Sequence, residues 1–190
     1  RALRAAVGAR PVQMAWKTEM TIRKISVATL FITLAACGPG EHRSPRSAAD
    51  SEVCRMLGDP VALFGANAGV AGYRGIGEMG PTCEFSSADG ARNGEIVTFT
   101  TASLKGAPLA AKMQEIVAKW DLQTETPLAS VEGLGEGAQL ATDLPGYQTQ
   151  IAFIKGNTLI LIQARTGDAD TARGADLARR MAIAVSASMH

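Results

Sequence analysis

The sequence predicts an α+β fold: an antiparallel sheet backed by helices packed on one face, in the rough order α-β-β-α-β-β-β-α, stapled by one disulfide. Three observations carry this. Gln148 to Lys155 and Thr158 to Ala164 are β-rich runs separated only by Gly156-Asn157, a two-residue hairpin signal. Ala107 to Trp120 places Leu109, Met113, Ile116, Val117 and Trp120 on one side of a 3.6-residue period. The chain then closes on an Ala-rich amphipathic segment, about Ala169 to Ser186. Runs of strands between helices, without βαβ alternation, indicate α+β architecture.

The elements follow in order. Ser51 is a helix N-cap ahead of Glu52-Val53-Cys54-Arg55-Met56-Leu57, and Gly58 stops that helix. Asp59-Pro60 restarts a short helix, with Asp59 as cap and Pro60 in its first turn. Six glycines between Gly65 and Gly80 read as a connecting loop, or as a ligand lid with Tyr73 and Arg74 as contacts. It has no Gly-Lys-Ser/Thr ending and leads toward a strand, so it is not a phosphate loop. Thr82 to Ser86 and Glu95 to Thr101 are strands of a hairpin around the turn residues Ala88 to Gly94. Pro108 opens the long helix, and Trp120 fills the core. Gly133-Leu134-Gly135-Glu136-Gly137 is a turn before a strand over Ala138 to Thr142. Asp168 and Asp170 cap the last helix, whose stripe is Leu177, Ala178, Met181, Ala182 and Val185.

Ahead of this domain lies a leader. Met20 to Lys24 is a basic start, Ile25 to Ala36 is uncharged and apolar, and Leu34-Ala35-Ala36-Cys37 closes it. A basic start, a short apolar core and small residues at the end mark a secretory signal. The segment falls short of the ~20 apolar residues that a membrane helix needs. Leu-Ala-Ala-Cys resembles the lipobox of bacterial lipoprotein precursors. That resemblance implies diacylglyceryl modification of Cys37, cleavage before it and usually N-acylation. Two or three acyl chains anchor stably where one does not. Gly38, rather than Asp, follows the cysteine, which implies the outer membrane facing the periplasm in a Gram-negative envelope. Arg1 to Glu19 read as sequence upstream of the true start.

Residues 37 to 49 are polar and rich in Gly, Pro and Ser, a tether of up to roughly 40 Å. Residues 50 to 190 fit one domain. The whole chain carries a net charge of +1, but the leader holds six basic residues and one acidic. From Cys37 on there are 13 basic and 17 acidic residues. No basic stripe with stacking aromatics is present, which excludes a nucleic-acid partner. With Cys37 lipidated, Cys54 and Cys83 remain, and in an oxidising compartment such a pair bonds together. A zinc site would want more ligands and a redox pair a closer spacing.

The domain also resembles a broad set of small cysteine-paired envelope lipoproteins of unknown function. The matching pieces are Val53-Cys54-Arg55-Met56-Leu57, Phe64-Gly65, Thr82-Cys83-Glu84-Phe85 and Val131 to Ala138 with its Gly-Leu-Gly turn, then a strand pair and a closing helix. The resemblance implies a helix-backed antiparallel sheet and a bond between the first-helix and strand cysteines. It implies no activity.

Catalytic chemistry finds little purchase. From Cys37 on the histidines are His42 in the tether and His190 at the end, so a nucleophile lacks its base and a metal its imidazoles. Glu132 with Glu136, and Asp168 with Asp170, are the carboxylate pairs. The first reads as a solvated turn and the second as helix capping. Expected, then, is a monomeric, lipid-anchored, non-catalytic binding domain without cofactor. Its partner is an envelope protein or small ligand. The alternatives are a carrier of an apolar molecule or lipid, with Tyr73, Arg74 and Tyr147 as contacts, and, least favoured, a hydrolase.

Overall fold

A computed structural model describes residues 51–75, 80–146, 148–168 and 170–189. The elements are α1 (Glu52–Arg55), α2 (Val61–Phe64), β1 (Gly69–Arg74), β2 (Thr82–Ser86), β3 (Arg92–Thr100) and α3 (Leu109–Asp121). After these come β4 (Ala129–Ser130), β5 (Glu136–Leu144), β6 (Gln148–Lys155), β7 (Thr158–Thr166) and α4 (Thr171–Ser188). The strands form one sheet in the order β1-β2-β3-β7-β6-β5-β4, with every neighbouring pair antiparallel. The fold is α+β, as the sequence indicates, and Cys54 is disulfide-bonded to Cys83 with their Cα atoms 5.2 Å apart.

Local chemistry explains the element ends. Ser51 Oγ accepts the Cys54 N–H, and Asp59 Oδ1 accepts the Val61 N–H at 2.9 Å, so both predicted caps form. Asp170 alone caps α4, accepting the N–H groups of Ala172 and Arg173 at 3.1 and 3.2 Å. Asp168 instead pairs with Arg173. Lys155 stands opposite Thr158, so Gly156-Asn157 is a two-residue turn, and Gly156 has φ 57°.

Three expectations are corrected. The helices do not share one face. Cys83, Phe85, Ile96, Ile151, Phe153, Ile160 and Ile162 pack with Val53 of α1, Leu57 just after it, Phe64 of α2, and Leu177, Met181 and Val185 of α4. Val97, Phe99, Leu159 and Ala152, which alternate with that set, lie beneath Met113 and Trp120 of α3 on the opposite face. The central strands are apolar on both sides, and such strands are covered on both. The second correction concerns Gly65 to Gly80, which is not only a loop. Gly69–Arg74 pairs with β2, with an irregularity between Val70 and Gly72. The glycines obscure an edge strand whose Val70 and Tyr73 pack against the first core.

The predicted turn over Ala88 to Gly94 is also shorter, because β3 begins at Arg92. Gly94 permits this. A Cβ there would stand 2.6 Å from Phe64 Cζ and 2.7 Å from Met181 Cε, so only glycine lets α2 and α4 press onto the strand.

Candidate functional site: the open half of the sheet

The α3 face of the sheet is divided. Register places Glu84 opposite Glu95, Glu95 opposite Gln163, and Gln163 opposite Gln150, a polar row across four strands. The next row holds Asn93 opposite Arg165 and Arg165 opposite Gln148. One row the other way, Thr82, Val97, Leu161 and Ala152 line up, and apolar packing under α3 begins. Helix α3 thus covers the apolar rows and leaves the polar rows open. A groove of about 240 Å³ lies over them, bordered by Glu84, Asn93, Glu95, Gln148, Gln163 and Arg165.

Glu84 and Glu95 face each other directly, which is destabilising for like charges. Arg74 at the end of β1 compensates. Its Nη2 stands 2.7 Å from Glu84 Oε1 and 3.0 Å from Glu95 Oε1. Glu95 is half-buried, and that burial holds its carboxyl above the usual carboxylate range. Arg74 pulls it back down and Glu84 pushes it up. An Arg74→Ala variant is therefore expected to titrate Glu95 still higher, read from its side-chain carboxyl resonance against pH. An unchanged or lower midpoint would show that Arg74 is not its partner. Because the folded group binds its proton more tightly than the unfolded one, Glu95 makes stability fall as pH rises between the ordinary carboxylate value and its own. Asp143 works in the opposite sense. Hydrogen bonds from Thr171 and Thr126 hold it low, so its stabilisation is lost as pH falls through its folded value.

The amides are ordered as a chain. Trp120 Nε1 donates to Gln150 Oε1 at 2.6 Å, and Gln150 Nε2 donates to Gln148 Oε1 at 3.1 Å and Gln163 Oε1 at 3.0 Å. The Arg165 side chain is exposed and makes no hydrogen bond or ion pair of its own among the described residues.

Tyr73 and Arg74 are consecutive in β1, so they point to opposite faces. Tyr73 packs against the first core, whereas Arg74 borders the open half-face. Cys37, His42, Tyr147 and His190 lie outside the described residues. Glu132 and Glu136 are exposed at the Gly-Leu-Gly turn and the start of β5. Arg173 bridges Asp168 at 2.8 Å and Asp170 at 3.2 Å, which gives both acids a structural partner. Among the described residues no three His, Cys, Asp or Glu side chains group as metal ligands, and no helix is long and apolar enough to cross a membrane.

Sequence reasoning passed over one serine–lysine contact. Lys155 Nζ donates to the Ser186 carbonyl and, at 3.1 Å, to Ser186 Oγ. Ser186 Oγ donates its proton to the Leu134 carbonyl at 2.8 Å and is buried. The hydroxyl is thus committed to the backbone, and the lysine supplies a cation at the C-terminal end of α4. This is a lock on the helix, not an activated nucleophile.

No family model matches the chain, and no match to it was found among curated proteins or solved structures.

Proposed function

We propose that the chain is the precursor of a lipid-anchored envelope protein, cleaved ahead of Cys37, whose domain binds a polar partner through the open half of the sheet and does no catalysis. The observation that carries the binding reading is the division of one sheet face. Two rows of Glu, Gln, Asn and Arg side chains are left beside α3, the two glutamates paired by Arg74 at their edge and the amides partly ordered by one another. The disulfide supports an oxidising compartment, consistent with export. A tether of up to roughly 40 Å would keep the domain close to the membrane surface and raise its effective concentration there. A carrier of apolar molecules has less support, because Phe64, Phe85, Phe153 and Ile96 fill the layer between the sheet and α4.

The test of the anchor is the intact mass of the protein from a membrane fraction, non-reduced and after thiol alkylation. The expected species starts at Cys37, is heavier by acyl groups and carries no alkylated thiol. A chain that retains Met20, without lipid and with alkylated Cys54 and Cys83, would overturn the reading.

A further inference from the structure

We infer that the open half-face binds a small zwitterion of the α-amino acid type. Arg165 with the side-chain amides of Gln148 and Gln163 takes its carboxylate, and Glu95 takes its ammonium. This deepens the binding reading above and rests on it.

Trp120 sets the orientation of the amides. An indole N–H only donates, so Gln150 must turn its amide oxygen toward Trp120. Its NH₂ then faces the other way and is shared between the oxygens of Gln148 and Gln163. Those two amides are fixed in turn: with their oxygens toward Gln150, their NH₂ groups have no partner among the described residues. A buried donor on α3 thereby sets two surface amides as donors. Both residues border the groove, where Arg165 stands directly across from Gln148. A guanidinium beside two oriented NH₂ groups is the complement of a planar carboxylate.

The acceptor side is supplied by Glu95. It lies opposite Gln163, and Arg165 is two residues further along the same strand and face, a diagonal separation of about 7–8 Å that long side chains span. Arg74 holds only Oε1 of Glu95, and Oε2 is left for a second donor. The diagonal spacing of Glu95 and Arg165 suits a small molecule that carries both charges a few bonds apart.

The experiment is a titration of the full chain, following the side-chain NH₂ resonances of Gln148 and Gln163 and the Nε–H of Arg165. The probes are L-alanine, acetate, methylammonium and inorganic phosphate. Saturable shifts with L-alanine are expected, with acetate weaker by about tenfold or more. Arg165→Gln should abolish the response, and Glu95→Gln should bring L-alanine down to the level of acetate. Trp120→Phe keeps the ring but removes the donor. It should weaken L-alanine binding while the far-UV spectrum is unchanged. The inference is overturned if no probe moves these resonances in the parent chain. It is equally overturned if phosphate or acetate matches L-alanine and Glu95→Gln makes no difference, which would define a simple anion site. An unchanged affinity in folded Trp120→Phe would remove the orienting role argued for the indole. The readout is independent of lipid, so failure here leaves the anchor standing, and failure of the anchor leaves this site standing.

Discussion

A Phe64→Ala variant is expected to lose about 3–5 kcal/mol of stability, the cost of deleting a fully buried aromatic side chain and leaving its cavity. Phe64 is 1% exposed, although its helix has only four residues. Its ring stacks on Phe85 with centroids 6.1 Å apart and rests where Gly94 has no side chain. So short a helix has no stability of its own and persists by docking. The dock is completed from outside. Arg92 donates to the Leu63 and Phe64 carbonyls at 3.2 and 2.7 Å, and Arg180 donates to the Ala62 carbonyl at 2.8 Å. Those guanidiniums satisfy carbonyls that a helix end leaves without partners. Removing the ring takes away the apolar half of this arrangement. Urea unfolding should show a lower midpoint with little change in slope. A loss below about 1 kcal/mol, no larger than an ordinary substitution gives, would mean that α2 is not docked as described. Val61→Ala is the internal control: Val61 is 44% exposed on the same helix, and its change should stay within about 0.5 kcal/mol.

The double variant Cys54→Ala/Cys83→Ala is expected to lose about 3–4 kcal/mol, from the loop-closure entropy regained by the unfolded chain. The bond joins α1 to the start of β2 across 29 residues, and both cysteines are buried beside Ile96. Alanine is the better replacement because serine would bury a hydroxyl without an assured partner. The melting temperature should fall by roughly 10 °C, and reduction of the parent protein should reproduce most of that fall. If reduction has no effect while the double variant is destabilised, the loss comes from packing of the sulfur atoms and not from the cross-link.

Signals confined to one stretch of chain were legible in the sequence. The Gly156-Asn157 hairpin, the Leu109 to Trp120 stripe, the caps at Ser51 and Asp59 and the cysteine pair each depend on neighbours or on counting. The side of the sheet that α3 covers was harder, yet the clue is present. Thr158-Leu-Ile-Leu-Ile162 does not alternate, which is how a strand reads when both its faces are covered. Strand β1 was obscured because Gly69 and Gly72 contribute backbone pairing without β-propensity. The polar half-face could not be read at all. Glu84, Glu95, Gln150 and Gln163 become neighbours only through the register of four strands, two of which lie far along the chain. Nothing local marks Gln150 as the acceptor for the Trp120 N–H, because the two are 30 residues apart.

The pairing of β3 with β7 at the centre of the sheet carries a consequence for how the chain folds. On either side of that seam the strands pair with neighbours in sequence, β1-β2-β3 and β5-β6-β7, across short stretches of chain. The seam itself brings Thr100 opposite Thr158 and Arg92 opposite Thr166, so it must close a long segment that includes α3. Local hairpins form in microseconds, whereas contacts between distant segments incur loop-closure entropy before they return any stabilisation. Zipping of β3 to β7 is therefore the step that should limit the folding rate, placing the domain with slower, non-local topologies. Until it is complete, each half presents an unpaired strand carrying Ile96, Val97 and Phe99 or Leu159, Ile160 and Ile162. These are the two edges on which a nascent copy of this chain would be most exposed to self-association.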